Sequence, residues 1–568
     1  MGDEAEGVRI QGDLRILTLE GSGYEMGRQH GEGLREEIHQ GVLPFFGNFT
    51  EYDSKLRKLP EANRKEVAAR LDREIFDRLR PFVPQVYLDE LRGIAEGAGL
   101  PADVVLRGNF LSELLQVSLK EQVPTEGVEA SAGCTGFAVA GPATRDGELL
   151  HGKNTDYQGI GVWNRFPVLI LSKPADGFAY VRGTSAGLIK CNTCMNEHGI
   201  TLGGHFLFSS DTAADGVAFT ILENEVMRHA ANLREAISIV EDGPRAGAFA
   251  FIVSDGKTGE AVALECTRAE VSQRWLSDGA VFMSNVCTAS DAQKQSDILL
   301  RASVGRNPLS RWRRIEDLIT KHHGTIDFEI ALGFLGDHYD EASGRERGAA
   351  HTIASIASVT SVLLRPERRE IWMGVGPVPT GNNSFLGFDC RAALAGEGEL
   401  GFLGERSGNP FGEDARLRAV HRYAEAACLY DRSPDEVDAI LKLLHEAQEI
   451  DPEEPAYPRM IARLQLLANQ PEPAEAMLRR ALSIPAQGPS ELAEAWLLLG
   501  YGCDLRNERE AAQDAYRRVL ALHDGEAEPI RAVNPLVLLS AHMHLEEPFR
   551  KGDVEALNVS FALLSGWE

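Results

Sequence analysis

The run Gly133-Cys134-Thr135-Gly136-Phe137, followed by Arg145-Asp146-Gly147-Glu148 and His151-Gly152-Lys153-Asn154-Thr155-Asp156-Tyr157, decides the reading of this chain. Its pattern is a strand that opens on a cysteine, a turn at Asp146-Gly147 and a returning strand that ends at Asp156. A hairpin brings the ends of its strands together, so Cys134 is expected beside Lys153 to Asp156. A thiol next to a cation and a carboxylate can be ionised and oriented, which is what a nucleophile requires.

The sequence changes texture on either side of this run. Up to about Gly133 it is mainly helical in pattern, with apolar residues at three- and four-residue steps over residues 24–46 and 65–91. A polar stretch at 121–131, holding Pro124 and Gly127, reads as an exposed linker. After Cys134, short β-rich runs recur at 134–140, 167–172, 249–254, 261–267, 280–286 and 353–363. Helical stretches at about 218–241 and 309–334 interrupt them. Strands in two groups with helices between them imply stacked sheets covered by helices.

From about Gly412 the pattern is helical to the end. Residues 437–450, 474–484 and 511–522 have the shape of one helix of a tetratricopeptide repeat. Ile450 to Ile484 matches that repeat's period of about 34, and the next step is longer by a short insertion. The expected domains are therefore 1–133, 134–390 and 412–568. The last carries no catalytic constellation, and its expected role is docking of a protein partner or self-association.

A chain of 568 residues exceeds one hydrophobic core. Acidic residues outnumber basic ones by 85 to 58, and the net charge of −27 argues against nucleic acid or an anionic membrane surface as partner. No apolar run approaches the roughly 20 residues of a membrane span. Residues 1–10 are acidic and lack the apolar core of a secretory signal, so a cytoplasmic location is expected. Eight cysteines in this length do not make a disulfide framework, and Cys191 and Cys194 read as two buried thiols rather than a metal site.

Several separate motifs give the chain a resemblance. Gly21-Ser22-Gly23-Tyr24-Glu25-Met26-Gly27-Arg28-Gln29-His30-Gly31 and Leu91-Arg92-Gly93-Ile94-Ala95-Glu96-Gly97-Ala98-Gly99 come first. The Cys-Thr-Gly-Phe start, the Gly-Lys-Asn-Thr-Asp-Tyr return strand and Met195-Asn196-Glu197-His198-Gly199-Ile200 follow in order. Over residues 10–390 the chain resembles the acyl-coenzyme A:6-aminopenicillanic acid acyltransferase family of self-cleaving enzymes, relatives of the choloylglycine hydrolases. The resemblance implies an α+β chain: a four-layer αββα N-terminal-nucleophile hydrolase fold, followed here by the all-α helical-repeat domain. It also implies cleavage between Gly133 and Cys134. Gly133, without a Cβ, lets the backbone bend toward the Cys134 sulfur. The released α-amine, with a reference pKa of about 7.7–8, becomes a base for its own thiol.

Other roles carry over position by position. Asp156 matches the carboxylate near the nucleophile's amine, and Lys153 falls where bile salt hydrolases have an arginine. Asn285 matches an oxyanion-hole asparagine, His205 falls at the other proposed oxyanion position, and Arg311 matches an arginine near the nucleophile. The activity so implied is hydrolysis or transfer of an acyl group from a small-molecule amide through an acyl-thioester on Cys134, with no metal and no organic cofactor. The alternative is a catalytically silent scaffold whose C-terminal helices bind a protein.

Overall fold

The computed structural model describes residues 8–48, 59–110, 112–113, 116, 133–157, 159–207, 209, 211–288, 306–408, 415–485, 487–523 and 530–557. The expected linker at 121–131 lies outside them. The described residues form two compact units. The first comprises Met1–Asp297, Ile315–Gly336 and Ser358–Asn409, and the second Ile298–Arg314, Asp337–Ala357 and Pro410–Glu568.

The strands, in chain order, begin with β1 (Val8–Gln11), β2 (Leu14–Gly21), β3 (Gly133–Val139), β4 (Leu150–Asp156), β5 (Pro167–Pro174) and β6 (Tyr180–Ser185). They continue as β7 (Thr193–Asn196), β8 (Ile200–Phe206), β9 (Phe249–Asp255), β10 (Glu260–Cys266), β11 (Val271–Trp275) and β12 (Ala280–Ser284). The last are β13 (Tyr339–Asp340), β14 (Arg345–Glu346), β15 (Ser358–Arg365), β16 (Glu370–Gly374), β17 (Ser384–Asp389) and β18 (Gly401–Ser407).

Two sheets build the first unit. One has nine strands in the order β1-β2-β5-β6-β7-β8-β9-β10-β11, the other seven in the order β12-β3-β4-β15-β16-β17-β18. Strands β5 and β9 are near-continuous apolar runs because both faces are covered. Between the sheets, Leu169, Leu171, Val181 and Met195 meet Val362, Leu364, Ile371 and Met373. On the far face of the larger sheet, Leu222, Val226, Ile237 and Val240 of the helices Phe219–His229 and Leu233–Glu241 pack on Phe251, Val253, Val262 and Leu264. On the far face of the smaller, Phe334 of the helix Phe328–Leu335 meets Phe137 at 5.5 Å between ring centroids. The four layers are therefore αββα.

The long helical stretches are divided where the chemistry requires it. Residues 24–46 form three helices, Gly23–Gly33, Arg35–Gln40 and Val42–Gly47, with Ser22 and Glu25 making a capping box at the first. Residues 218–241 part at Ala230, where Asn232 caps the second helix, and residues 309–334 part before Asp327, which caps Phe328–Leu335. The run at 353–363 becomes a strand only from Ser358, and the smaller sheet continues past residue 390 to β18.

The region before Cys134 is not all helix. Its β2 runs parallel to β5 and so completes the nine-stranded sheet. The two N-terminal motifs also meet: Gly27 and Gly31 of the helix Gly23–Gly33 lie against Gly93 and Gly97 of Gln85–Ala98. A Cβ on Gly27 would sit 2.0 Å from the Glu90 carbonyl oxygen. Only glycine permits that approach.

The second unit contains the β13–β14 hairpin and the helices Ala415–Arg432, Val437–Ile450, Ala456–Leu467, Pro471–Ser483, Pro489–Leu505, Arg509–Ala521 and Pro535–Glu546. Leu466, Leu478, Leu498, Tyr516, Val519 and Val537 form its core. Among the described residues no helix is long and apolar enough to cross a membrane.

Candidate active site

Cys134 is the second residue of β3, which lies between β12 and β4. Antiparallel register sets Cys134 opposite Thr155 and Gly133 opposite Asp156. The connection is looser than a two-residue hairpin: a 3-10 turn at Gly141–Ala143 precedes Gly147, which takes the positive φ of 80°. The expected juxtaposition of Cys134 with the end of β4 follows.

On the other side, β12 ends at Ser284, and Asn285 turns the chain with a φ of 47°, a conformation that asparagine tolerates better than most residues. Its side chain then reaches back to the start of β3. Asn285 Oδ1 accepts the Cys134 backbone N–H at 2.7 Å, and Nδ2 donates to the Phe206 carbonyl at 2.7 Å. This asparagine thus holds the peptide nitrogen between Gly133 and Cys134.

Lys153 and Thr155 share a face of β4 with Cys134 opposite, as strand alternation demands. Lys153 Nζ donates to Thr155 Oγ1 at 2.9 Å and to the Asn192 carbonyl and Oδ1 at 3.2 and 2.7 Å. Burial lowers its pKa, against the field of Cys134, which favours the ammonium. Asn192 Nδ2 also donates to Thr155 Oγ1, at 2.6 Å. Alternation turns Asp156 to the opposite face, where its Oδ1 accepts from Ser358 Oγ at 2.7 Å. Asn154, on that same face, donates to the Leu335 carbonyl at 2.8 Å.

His205 lies on β8 of the other sheet. Its Nδ1–H donates to the Gly203 carbonyl at 3.1 Å, and its ring fills the space that Gly136 leaves, 2.5 Å from where a Cβ would be. The fold thus sets Lys153 and Asn285 around Cys134, places His205 against Gly136 two positions along β3, and turns Asp156 to the other face of β4. Arg311 belongs to the second unit, where it is buried and its Nε donates to Asn307 Oδ1 at 2.6 Å.

Cys134 lines a narrow recess. Phe206, Phe219 and Phe249 supply an apolar wall, while Ser112, Glu113 and Gln116 enter from the region before Cys134. Lys190 Nζ donates to Ser112 Oγ at 3.3 Å and lies over the Phe219 and Tyr157 rings, 4.9 and 5.3 Å from their centroids. Burial opposes its charge, but Tyr157, Glu223, Cys134 and Glu113 outweigh that and raise its pKa. Burial pushes the Glu113 and Glu223 carboxyls up to about 7 each, against the pull of Lys190. Glu113 Oε1 accepts the Phe219 N–H at 2.7 Å and Glu223 Oε2 the Cys191 N–H at 3.1 Å.

Sequence reading missed this second group. Its one local signal is a charged residue in apolar company, as in Gly187-Leu188-Ile189-Lys190-Cys191. Cys191 and Cys194 are buried thiols, and Cys191 Sγ donates to Asn224 Oδ1 at 3.2 Å. Among the described residues no cluster of three or more His, Cys, Asp and Glu is placed to hold a metal ion.

Residues 143–377 match the model of the acyl-coenzyme A:6-aminopenicillanic acid acyl-transferase family. The match begins after Cys134 and ends before the helices from Ala415 onward. An uncharacterized protein of Archaeoglobus fulgidus is 27% identical over 256 residues, which cover 43% of this chain and 42% of that protein. Protein dcd1B of Dictyostelium discoideum is 24% identical over 269 residues, 44% of this chain and 50% of that protein. The chain spans about half the length of the curated relatives it matches. Among solved structures, it is similar to the Caenorhabditis elegans ortholog of N-acylethanolamine-hydrolyzing acid amidase. That likeness has 13% identity and a TM-score of 0.30, and covers 41% of this chain and 93% of that one.

Proposed function

Residues 143–377 having matched an acyl-transferase family, we propose that the chain is a self-activating cysteine N-terminal-nucleophile enzyme that cleaves or transfers the acyl group of a small-molecule amide. The supporting observation is the start of β3, where one residue has its thiol on the wall of the recess and its nitrogen held by Asn285.

Activation comes first. Cys134 Sγ attacks the Gly133 carbonyl carbon, the C–N bond breaks as the nitrogen takes up a proton, and a thioester joins Gly133 to Cys134. Water then releases the Gly133 carboxylate and frees both thiol and α-amine. In turnover the α-amine takes the thiol proton and the thiolate attacks the substrate amide. The departing amine receives that proton, and water or a second amine takes the acyl group from the thioester.

Lys153 favours the thiolate by its charge. Asn285 holds the α-nitrogen through Oδ1 and, with one Nδ2 hydrogen on the Phe206 carbonyl, offers the other to the oxyanion, with His205 at the second oxyanion position. Asp156, opposite Gly133, steadies the backbone at the scissile bond, and Arg311, which belongs to the second unit, is given no part in the chemistry. Water is the favoured acceptor because it needs no binding site.

Intact mass of the purified protein beside Cys134→Ala tests this. Two fragments from the wild type, divided between Gly133 and Cys134, with the variant whole, support the proposal. A wild type that stays whole after long incubation overturns it.

A further inference from the structure

The second unit holds a stretch that belongs to none of its helices. Asp337–Ala357 carries the β13–β14 hairpin and then Arg347, whose side chain is fully buried. The Arg347 guanidinium meets two carboxylates at once. Its Nε and Nη2 donate to Glu454 at 3.0 and 2.5 Å, and its Nη1 and Nη2 donate to Glu491 at 2.9 Å each. Asp340 lies 3.6 Å from Nη1. The next two backbone N–H groups, of Gly348 and Ala349, both donate to Glu454 Oε2, at 3.2 and 3.4 Å. A Cβ on Gly348 would lie 2.8 Å from Val420 Cγ2 and 3.0 Å from Tyr457 Oη. Arg345 Nη2 donates to the Glu453 carbonyl at 2.9 Å, and Glu346 pairs with Arg416 at 3.2 Å.

The receiving groups are built by the helices themselves. Glu454 stands just before Ala456–Leu467 and accepts the Ala456 N–H at 3.1 Å. Glu491 is in the first turn of Pro489–Leu505, accepts the Gly488 N–H at 3.2 Å and pairs with Arg459. A guanidinium in a two-carboxylate pocket, successive backbone donors on one fixed acceptor and a position with no room for a side chain are the means by which a surface selects an extended peptide. Stacked helix pairs use a continuous inner face for such ligands. Here Ala456–Leu467 is buried along nearly its whole length.

We propose that the helical array is a peptide-binding unit whose ligand is the chain's own residues 345–349, with Arg347 as anchor. The site is filled in cis, and it accepts a separate polypeptide only when this segment is displaced.

The test uses full-length protein and a fluorescent peptide of residues 337–357, followed by anisotropy. Wild type is expected not to bind it. Arg347→Met, whose own segment has lost its anchor, is expected to bind the peptide, and at least about ten-fold more tightly than the same peptide carrying Met at that position. Trypsin should also cut after Arg345 sooner in this variant. Gly348→Leu crowds the segment out while leaving Arg347 in the chain, and has to give the same result. A variant that melts cooperatively and takes up no peptide overturns the proposal. So does failure of both variants to fold, since the segment would then be core rather than ligand.

Discussion

Asn285 Oδ1 accepts the backbone N–H of Cys134 at 2.7 Å, although 151 positions separate the two residues in sequence. The same amide donates through Nδ2 to Phe206, so one side chain ties the end of β12 to the starts of both the candidate nucleophile's strand and the loop after β8. Asn285→Gly keeps the backbone's freedom at its positive φ while removing both hydrogen bonds. The expected outcome is a loss of about 10²–10³ in turnover rate with a smaller change in KM, measured after the cut chain has been isolated. Unchanged kcat would remove Asn285 from the chemistry.

Gly136 and His205 form a second pair across the sheets. A methyl group at Gly136 would meet His205 Nε2 at 2.5 Å and Cε1 at 2.7 Å. Gly136→Ala is therefore expected to destabilise the protein by about 1–3 kcal/mol, as overpacked positions do. Combining it with His205→Ala restores the room and should recover part of that loss. Thermal melts of the two single variants and the double variant give the coupling directly.

The Lys153 ammonium has three acceptors and the thiol's field to hold it charged. Lys153→Met keeps the bulk and removes the charge. Iodoacetamide labelling of Cys134 in the cut enzyme, followed at one fixed pH, should then slow by about ten-fold, since a nearby cation favours the reactive thiolate. Labelling at the wild-type rate would show that Lys153 only fills space.

Glu113 and Glu223 give the stability of this fold a definite pH dependence. Burial raises both to about 7, so the folded state binds more protons than the unfolded chain above the ordinary carboxyl pKa. Their contribution is complete below pH of about 4.5 and is lost as pH rises through 7, by roughly 3 kcal/mol for each carboxyl. Urea midpoints of wild type should fall over that window relative to Glu113→Gln/Glu223→Gln. Parallel curves for the two proteins would contradict this origin.

What could be read from the sequence was what is local in it. The start and return of β3 and β4, the turn at Gly147 and the periodic stretches were visible because a strand's alternation and a helix's period leave marks within a dozen residues. Stacked sheets covered by helices followed from two groups of strands with helices between them, and the four-layer αββα order from the family resemblance. The strands Val8–Gln11 and Leu14–Gly21 were hidden among helical signals, because a strand is settled by its neighbour, and β2's neighbour β5 lies far along the chain. The cluster around Lys190 was invisible for the same reason. The adjacent Ser112 and Glu113, Lys190 and Glu223 come from three distant parts of the chain and share no spacing. The side of the sheet taken by Asp156, away from Thr155, needed the register and not only the hairpin. The burial of the inner helices by Asp337–Ala357 has no sequence signature at all, since nothing about Arg347 marks it as a residue for the interior.

Strand β2 is inserted into the larger sheet from the part of the chain that precedes Cys134. Severing the Gly133–Cys134 bond would thus leave a mature molecule held together by a strand whose covalent tether has gone. An uncut chain recovers from denaturation at a rate independent of its concentration. The severed one has to find its missing strand by collision, and dilution defeats it. Heat resistance of such a severed form would then be a lifetime rather than an equilibrium. Maturation in such a fold is a one-way commitment of its architecture as well as of its active site.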